Sequence, residues 1–590
     1  MTRYHAPVAD LEFLLGDVLA IEELLTLPAF ADADWMSVRN VLSEGARFAE
    51  EILAPINAEA DRQGASISQG AVSVPAVFKP AWQAISRDGW LGLDLPVEYR
   101  GQALPRLLQA AFAEMTNGAC VSFCMLSLMS RAAARLLIEH ASDDLVAAFV
   151  PDLIAGETSA TICISEPQAG SDVGRIQSRA VPAEDGTYRL TGTKIWISFG
   201  DHDLTDQIAH MVLARTGDAV GTRGISLFLV PKFRLPLAGQ EPRTSPERNT
   251  VIAQSLEQKM GLHASPTCVL DFDNAQAFCI GEQGRGLNSL FTMVNTMRLE
   301  VALQGVAIAG AATDAAYNYA QQRSQGGRPD EPPLPIIRHP DVRRTLLTMR
   351  ARTEGLRALT LEAARQLDLS EHAPDEKIRA EAEALSSWLL PICKAAATDG
   401  GSEVSNLAIQ VHGGYGYVQE TGIEQYVRDA RVGSIYEGTN GIQALDLVTR
   451  KLVADQGRRR QIFVERINET LIRTERKTEL EKIGSAVTSL LTSFERCSDA
   501  LLQSTLGERD QAAGATPYLR LAALLGCAWM WLRMADAASS DVELHRRKHH
   551  TAKFFAVQLA PEGQWLESQV LAGAATVDGL LEDSWPEGRS

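Results

Sequence analysis

The chain has 590 residues, more than one hydrophobic core organises, and its length alone implies about three to five domains. With 45% hydrophobic and 22% charged residues, the composition is ordinarily globular. A formal net charge of −18 argues against polyanionic nucleic acid as the main partner and leaves room only for a local basic pocket.

The N-terminal stretch, residues 1–35, reads as an arm. Its first ten residues, Met1-Thr-Arg-Tyr-His-Ala-Pro-Val-Ala-Asp10, carry an acidic residue and a proline where a secretory signal needs an apolar core. Residues 36–157 read as a helical domain, because apolar residues recur at helical spacing, as in Val38, Val41, Leu42 and in Leu107, Leu108, Ala111, Phe112, Met115. No apolar run approaches the roughly 18 residues that span a bilayer.

At Ser159 the character changes. Ser159–Ser165, Lys194–Ser198, Gln207–Leu213, Gly224–Val230 and Thr267–Phe272 are short, β-branched and aromatic, with Gly, Asp and Pro turns between them. Residues 158–283 therefore read as a compact β-domain. Helical periodicity returns over 284–459, broken by a loop at Gly326-Gly-Arg-Pro-Asp-Glu-Pro-Pro333. Residues 460–590 read as an added helical domain with an apolar stripe that includes Leu490, Leu491 and Ala528-Trp-Met-Trp-Leu532. The fold class is α+β and mainly α, in the order helical, β, helical, rather than alternating βαβ units. The eight cysteines are scattered, with no C-x-x-C pair or zinc spacing, and read as buried thiols of a reducing compartment; a soluble cytoplasmic protein without bound metal is the expectation.

Four segments carry chemistry. Ile162-Cys-Ile-Ser-Glu-Pro-Gln-Ala-Gly-Ser-Asp172 ends a strand with a proline turn and a small-residue loop, which is either a plain turn or a loop offering amides and hydroxyls to a ligand. Trp196 and Ser198 are two apart on a strand, so their side chains are expected to share a face. Gln410-Val-His-Gly-Gly-Tyr-Gly-Tyr417 and Ile435-Tyr-Glu-Gly-Thr-Asn-Gly-Ile-Gln443 set one carboxylate, Glu437, among glycines that allow backbone to approach a bulky ligand. A glutamate before a glycine is otherwise a common solvated helix end. Neither G-x-G-x-x-G after a strand, nor G-x-x-x-x-G-K-[ST], nor G-x-S-x-G occurs, so nicotinamide-binding, nucleotide-hydrolase and esterase readings lack support. His545-Arg-Arg-Lys-His-His550 is the one dense basic run, read as a solvated helix face in preference to a phosphate or membrane site.

The ordered motifs, over about Val38 to Lys451, resemble the acyl-CoA dehydrogenase flavoproteins, and the arm and C-terminal extension resemble a long bacterial subgroup of that family. The resemblance implies a fold of helical domain, central β-barrel-like domain and second helical domain, followed by the extension. It implies FAD as cofactor, Glu437 as the base that removes the α-proton of an acyl-CoA thioester, and Arg298 as the residue orienting that base. Met297 occupies a position where some relatives carry their base, so Glu437 has no rival carboxylate there. Ile162, Ile164, Ser165, Ser171, Trp196 and Ser198 would line the flavin, with serine at Ser165 and Ser198 where threonine is commoner. Arg323, Gln410, Gly413 and Gly414 would hold the flavin pyrophosphate of a neighbouring subunit, and Thr439 would touch the cofactor beside the base. Ser324, Gln325 and Gly326 depart from the family pattern after Arg323.

An acyl-CoA α-proton is weakly acidic, so its removal requires a stabilised enolate oxygen and exclusion of water. The implied reaction yields a trans-2-enoyl-CoA, with the β-hydrogen leaving as hydride and electrons passing to electron-transferring flavoprotein or a similar carrier. Burial should raise the Glu437 pKa and Arg298 should oppose that shift. Two other readings stand beside it: an acyl-CoA oxidase of the same fold, and a catalytically silent binding or stress-response module. Acyl selection is expected from a pocket floor within Phe112 to Ser130. A homodimer is expected, because the extension would cover the surface through which short relatives form tetramers.

Overall fold

The structure, a computed structural model, describes residues 4–236, 247–503, 507–539, 541–575 and 577–578. In chain order, helices α1 (Val8–Phe13), α2 (Ile21–Leu25), α3 (Trp35–Arg47), α4 (Ala54–Gln63), α5 (Phe78–Arg87), α6 (Arg106–His140) and α7 (Asp143–Ala155) precede the sheet strands. A hairpin of β1 (Ser66–Ser68) and β2 (Ala71–Ser73) interrupts them, a feature absent from the sequence reading. Its two-residue turn places Gln69 and Gly70 at φ of 50° and 77°, the conformation that matches strand twist. The usual asparagine signal is replaced by glutamine.

The sheet strands are β3 (Thr158–Cys163), β4 (Arg179–Pro182), β5 (Tyr188–Ser198), β6 (Gln207–Arg215), β7 (Ile225–Pro231), β8 (Val251–Leu256) and β9 (Thr267–Ile280). After them come α8 (Gly286–Gln322), α9 (Pro340–His372), α10 (Glu376–His412), α11 (Ile423–Arg431) and α12 (Asn440–Leu445), then α13 (Arg458–Thr474), α14 (Glu481–Leu502), α15 (Glu508–Ala537), α16 (Glu543–Gln558) and α17 (Glu562–Leu571). The described chain groups into two compact units, one of residues 43–300 with residues 4–6, the other of residues 7–42 and those from 301 on.

In the first unit, pairing runs from β6 through β4, β5, β9 and β7 back to β6, closing a barrel to which β3 and β8 attach at β6 and β9. Closure removes exposed strand edges. Leu190, Ile197, Val212, Phe228, Leu270 and Phe272 fill its core. β4 and β8 were not expected; β4 is four residues ending in proline, and β8 adds only an outer strand. Against the expectation that no segment reaches bilayer length, α6 is long and apolar enough to do so, and 83% of its most apolar window is buried within the protein. It is kinked at Cys120 (φ −159°, ψ 86°). α6 is fixed to the start of α8 by Arg131, which donates to Asp94 and Glu300 at 2.6 Å each. Burial opposes ionisation of Asp94, but Arg131, Arg135 and Arg106 hold its carboxyl well below the usual range.

In the second unit, small residues bring helices close. A Cβ on Gly305 would lie 2.3 Å from the Ala397 carbonyl oxygen, so only glycine allows α8 to approach α10 this closely. The apolar stripe of the extension is buried as expected, with Leu490 3% and Leu491 6% exposed. Trp531 donates from Nε1 to the Ala351 carbonyl of α9 at 3.0 Å, and Trp529 to Thr470 Oγ1 at 2.9 Å. The basic run is not a solvated face at its centre: Lys548, 1% exposed, bridges Asp10 of the arm at 2.6 Å and Glu354 of α9 at 2.9 Å. Its charge thus staples the arm and extension to the helical core.

Candidate active site

In the first unit, Ile162 lies on β3, and Ile164 and Ser165 follow its end, half-buried. The Ile195 amide donates to the Ser165 carbonyl at 2.9 Å, carrying the expected loop alongside β5. Lys194, with no exposed surface, donates to the Ile164 carbonyl at 3.0 Å and to Glu166 Oε1 at 2.8 Å. Glu166 in turn accepts from the amides of Gln177 (2.6 Å) and Ser178 (3.0 Å) and from Ser178 Oγ (2.6 Å), closing the loop that carries exposed Ser171. Burial alone would raise the Glu166 pKa, but the Lys194 ammonium and these donors bring it down to about 2. Sequence reading missed this pair; a lone lysine opening the apolar Lys194-Ile-Trp-Ile-Ser198 strand was the available signal.

Trp196 is exposed and Ser198 part-exposed, with buried Ile197 between them; the alternation breaks just before, between Lys194 and Trp196. Lys194 pairs with Leu270 and Ile197 with Cys268, so an extra residue bulges out of β5. Trp196 sits on that bulge at φ 65° and is 59% exposed. A bulky residue in left-handed conformation is uncommon and marks a segment whose surroundings dictate its geometry. Arg298 is 7% exposed on α8, next to fully buried Met297.

In the second unit, Glu437 (φ 55°) and Gly438 (φ 83°) form a left-handed turn before α12. Gln443 Nε2 donates to the carbonyls of Glu437 (3.2 Å) and Gly438 (3.1 Å). Lys394 of α10, with no exposed surface, donates to the Gly438 carbonyl at 2.8 Å and to Asn440 Oδ1 at 3.1 Å. Asn440 Nδ2 returns to α10 at the Ala395 carbonyl (3.1 Å) and Asp399 Oδ1 (2.7 Å). Thr439 Oγ1 caps α12 by accepting from the Ile442 amide at 3.3 Å. Tyr436 donates to Gln304, and burial together with the Glu437 charge raises its phenol pKa. Neither Lys394 nor Gln443 was singled out from sequence, although Lys394 is the one cation within Trp388–Ala397.

The same unit brings together Arg323, Gln410, Gly413 and Gly414 around a cavity of about 440 Å³, also lined by Tyr319 and Tyr415. The Arg323 guanidinium lies 5.9 Å from the Tyr415 ring centroid. Gly413 ends α10 at φ 60°, so its glycine is required by conformation as well as by access. A Cβ on Gly414 would meet nothing within 4 Å, leaving the wall open to a ligand. A guanidinium, an amide and bare backbone suit a diphosphate, and the donor set fits the pyrophosphate of a dinucleotide. Gly326–Pro333 forms the expected loop after Arg323.

Domain models match in order: the acyl-CoA dehydrogenase N-terminal domain over residues 38–157, the middle domain over 161–275 and the C-terminal domain over 284–452, then an acetyl-CoA dehydrogenase C-terminal-like domain over 463–580. The 3-methylmercaptopropionyl-CoA dehydrogenase of Ruegeria pomeroyi is 40% identical, over 98% of this chain and 100% of its own length. The broad-specificity linear acyl-CoA dehydrogenase FadE5 of Mycobacterium tuberculosis is 31% identical over 95% of this chain and 96% of its own. Among solved structures, Caenorhabditis elegans ACDH-11 in complex with C11-CoA superposes with a TM-score of 0.80 over 98% of this chain and 96% of that one; at 22% identity this is a likeness of fold.

Proposed function

We propose, from the premise that this chain belongs to the acyl-CoA dehydrogenase family, that Glu437 is the base of its reaction. The protein is an FAD-dependent oxidoreductase that dehydrogenates acyl-CoA thioesters. Acceptance of the β-hydrogen as hydride is the chemistry that FAD supplies when bound. The chain's residues position, exclude water and move the α-proton. One observation carries the assignment: Glu437 is the carboxylate on a left-handed turn whose two carbonyls are tied down by Gln443 and Lys394. A base held this way is presented in one orientation, which proton abstraction from carbon requires.

Arg298 is proposed to orient the base. Ile162, Ile164, Ser165, Ser171, Trp196, Ser198 and Thr439 are proposed to contact the flavin, and Arg323, Gln410, Gly413 and Gly414 to hold a flavin pyrophosphate. A separate electron carrier such as electron-transferring flavoprotein, a homodimeric assembly and a cytoplasmic setting belong to the same proposal. The eight free thiols support the last; light scattering distinguishes dimer from tetramer. The acyl group is proposed to be selected by residues between Phe112 and Ser130, where α6 is kinked, and a panel of linear and sulfur-containing acyl-CoAs, read by flavin bleaching, would rank the substrates.

Glu437→Gln tests the assignment. The variant should fold, retain yellow FAD and bind acyl-CoA, because the change is nearly isosteric, yet remain oxidised when mixed anaerobically with substrate. Wild-type bleaching by this variant would remove Glu437 from the role of base.

A further inference from the structure

We infer that Lys394 is a positioning residue for the reaction, setting the Glu437 carboxylate through the backbone of Gly438; this rests on Glu437 being the base. Lys394 projects from α10 with no exposed surface, and its ammonium donates to the Gly438 carbonyl at 2.8 Å and to Asn440 Oδ1 at 3.1 Å. A lysine is rarely buried this completely without a task for its charge. Here the task is local. Gly438, whose carbonyl the ammonium holds, directly follows Glu437, and Asn440, whose side chain it holds, is the first residue of the next helix.

The geometry explains why an ammonium is needed. In a trans peptide the carbonyl and the N–H point in opposite directions, and the chain contains no cis peptide among the described residues. Lys394 and Gln443 draw the Gly438 carbonyl to one side, and Gln443 draws the Glu437 carbonyl likewise. The N–H groups of Gly438 and Thr439 are therefore turned the other way. With φ of 55° at Glu437 and 83° at Gly438, the turn lies in a region that a residue bearing a Cβ enters only when contacts over-determine it. A charged donor forms stronger bonds than a neutral one, and a single ammonium here grips both the turn and the side chain of Asn440. Asn440 passes the grip back to α10 through the Ala395 carbonyl and Asp399. Lys394 thus links the rigid helix to the direction in which the carboxylate leaves the backbone.

The test uses the FAD-loaded full chain carrying Lys394→Met, which keeps length and apolar bulk but removes the ammonium. The anaerobic rate of flavin reduction should fall by about 100-fold, the scale of a small misplacement of a catalytic group. Affinity for the enoyl-CoA product and FAD content should change by less than about 3-fold, since neither depends on the reacting geometry. Hydrogen exchange of the Tyr436–Gln443 segment should rise. If Lys394→Met fails to fold, Asn440→Ala, which leaves the lysine its carbonyl, should lower the reduction rate by about 10-fold. Wild-type reduction by the folded variant, or rate and product affinity falling together, would overturn the inference. Failure is distinguishable from failure of the base assignment: a fully active Glu437→Gln refutes the base, whereas an inactive Glu437→Gln beside a fully active Lys394→Met refutes only the role of Lys394.

Discussion

Trp196 and Glu437 each occupy a left-handed backbone position, at φ 65° and 55°, and each belongs to a segment braced by a lysine with no exposed surface. The two braces grip their segments at different points. Lys194 donates to a carboxylate, Glu166, and the pair fastens the loop that runs to Ser178. The bonds from Lys394 to the turn go to a backbone carbonyl and an amide oxygen. A buried ion pair concentrates energy, because removing one partner strands the other as a buried charge. The bonds from Lys394 reach the backbone of the turn itself and fix its direction. The comparison teaches that a buried lysine can fasten a loop through a carboxylate, as Lys194 does, or act on the backbone of a turn directly, as Lys394 does beside Glu437.

Lys194→Met should produce the largest effect on stability. It leaves Glu166 buried and unpaired, a change that typically costs about 3–5 kcal/mol. Urea unfolding followed by circular dichroism should show it. Wild-type stability of the variant would mean that the Lys194–Glu166 pair does not fasten the loop.

Acid sharpens the same contrast. The Glu166 carboxyl is held at about 2, against an ordinary value of 4.5, with burial opposing and Lys194 favouring ionisation. A depressed pKa contributes stability that is complete above the unfolded value and is lost as pH falls toward the folded one. Between pH 4.5 and about 2 the wild type should therefore shed this contribution, and Glu166→Gln should show a shallower decline of melting temperature over that window. Parallel acid limbs in the two proteins would mean that Glu166 is not held ionised by its surroundings.

Much of this was legible in the sequence, and the failures have physical causes. Glu437 stood out because glycines frame it, whereas the grouping of Arg323, Gln410, Gly413 and Gly414 came from the family resemblance; the structure brings those four to one cavity. The bulge just before Ile197 was missed, since it changes the phase of β5 without leaving a glycine or proline to announce it. β4 and β8 were too short or too polar to stand out from turns. Both bracing lysines were missed because their partners are remote, Glu166 lying 28 residues from Lys194 and Gly438 lying 44 from Lys394. A lone cation in an apolar run announces that a partner exists, but only the fold names it. Lys548 carried the opposite lesson: a dense basic run hid one buried member, paired to Asp10 and Glu354.

The smallest effect probes the turn at Glu437 itself. Left-handed backbone costs a residue with a Cβ roughly 1–2 kcal/mol, whereas glycine adopts it freely. Glycine also frees the unfolded chain, returning about 0.4–1 kcal/mol of that gain. Glu437→Gly and Glu437→Gln both lack the carboxylate and should both fail to reduce flavin, so function does not separate them. Stability does: the glycine variant should be at least as stable as the glutamine variant, by up to about 1 kcal/mol. At an exposed helical site such as Glu469 of α13, the same pair of substitutions should favour glutamine by roughly 1 kcal/mol, because glycine weakens a helix interior. Equilibrium urea unfolding of the four variants gives both differences. If glycine is the worse choice at 437 as well as at 469, the turn carries no strain, and the bonds from Lys394 and Gln443 hold a conformation that the chain would adopt without them.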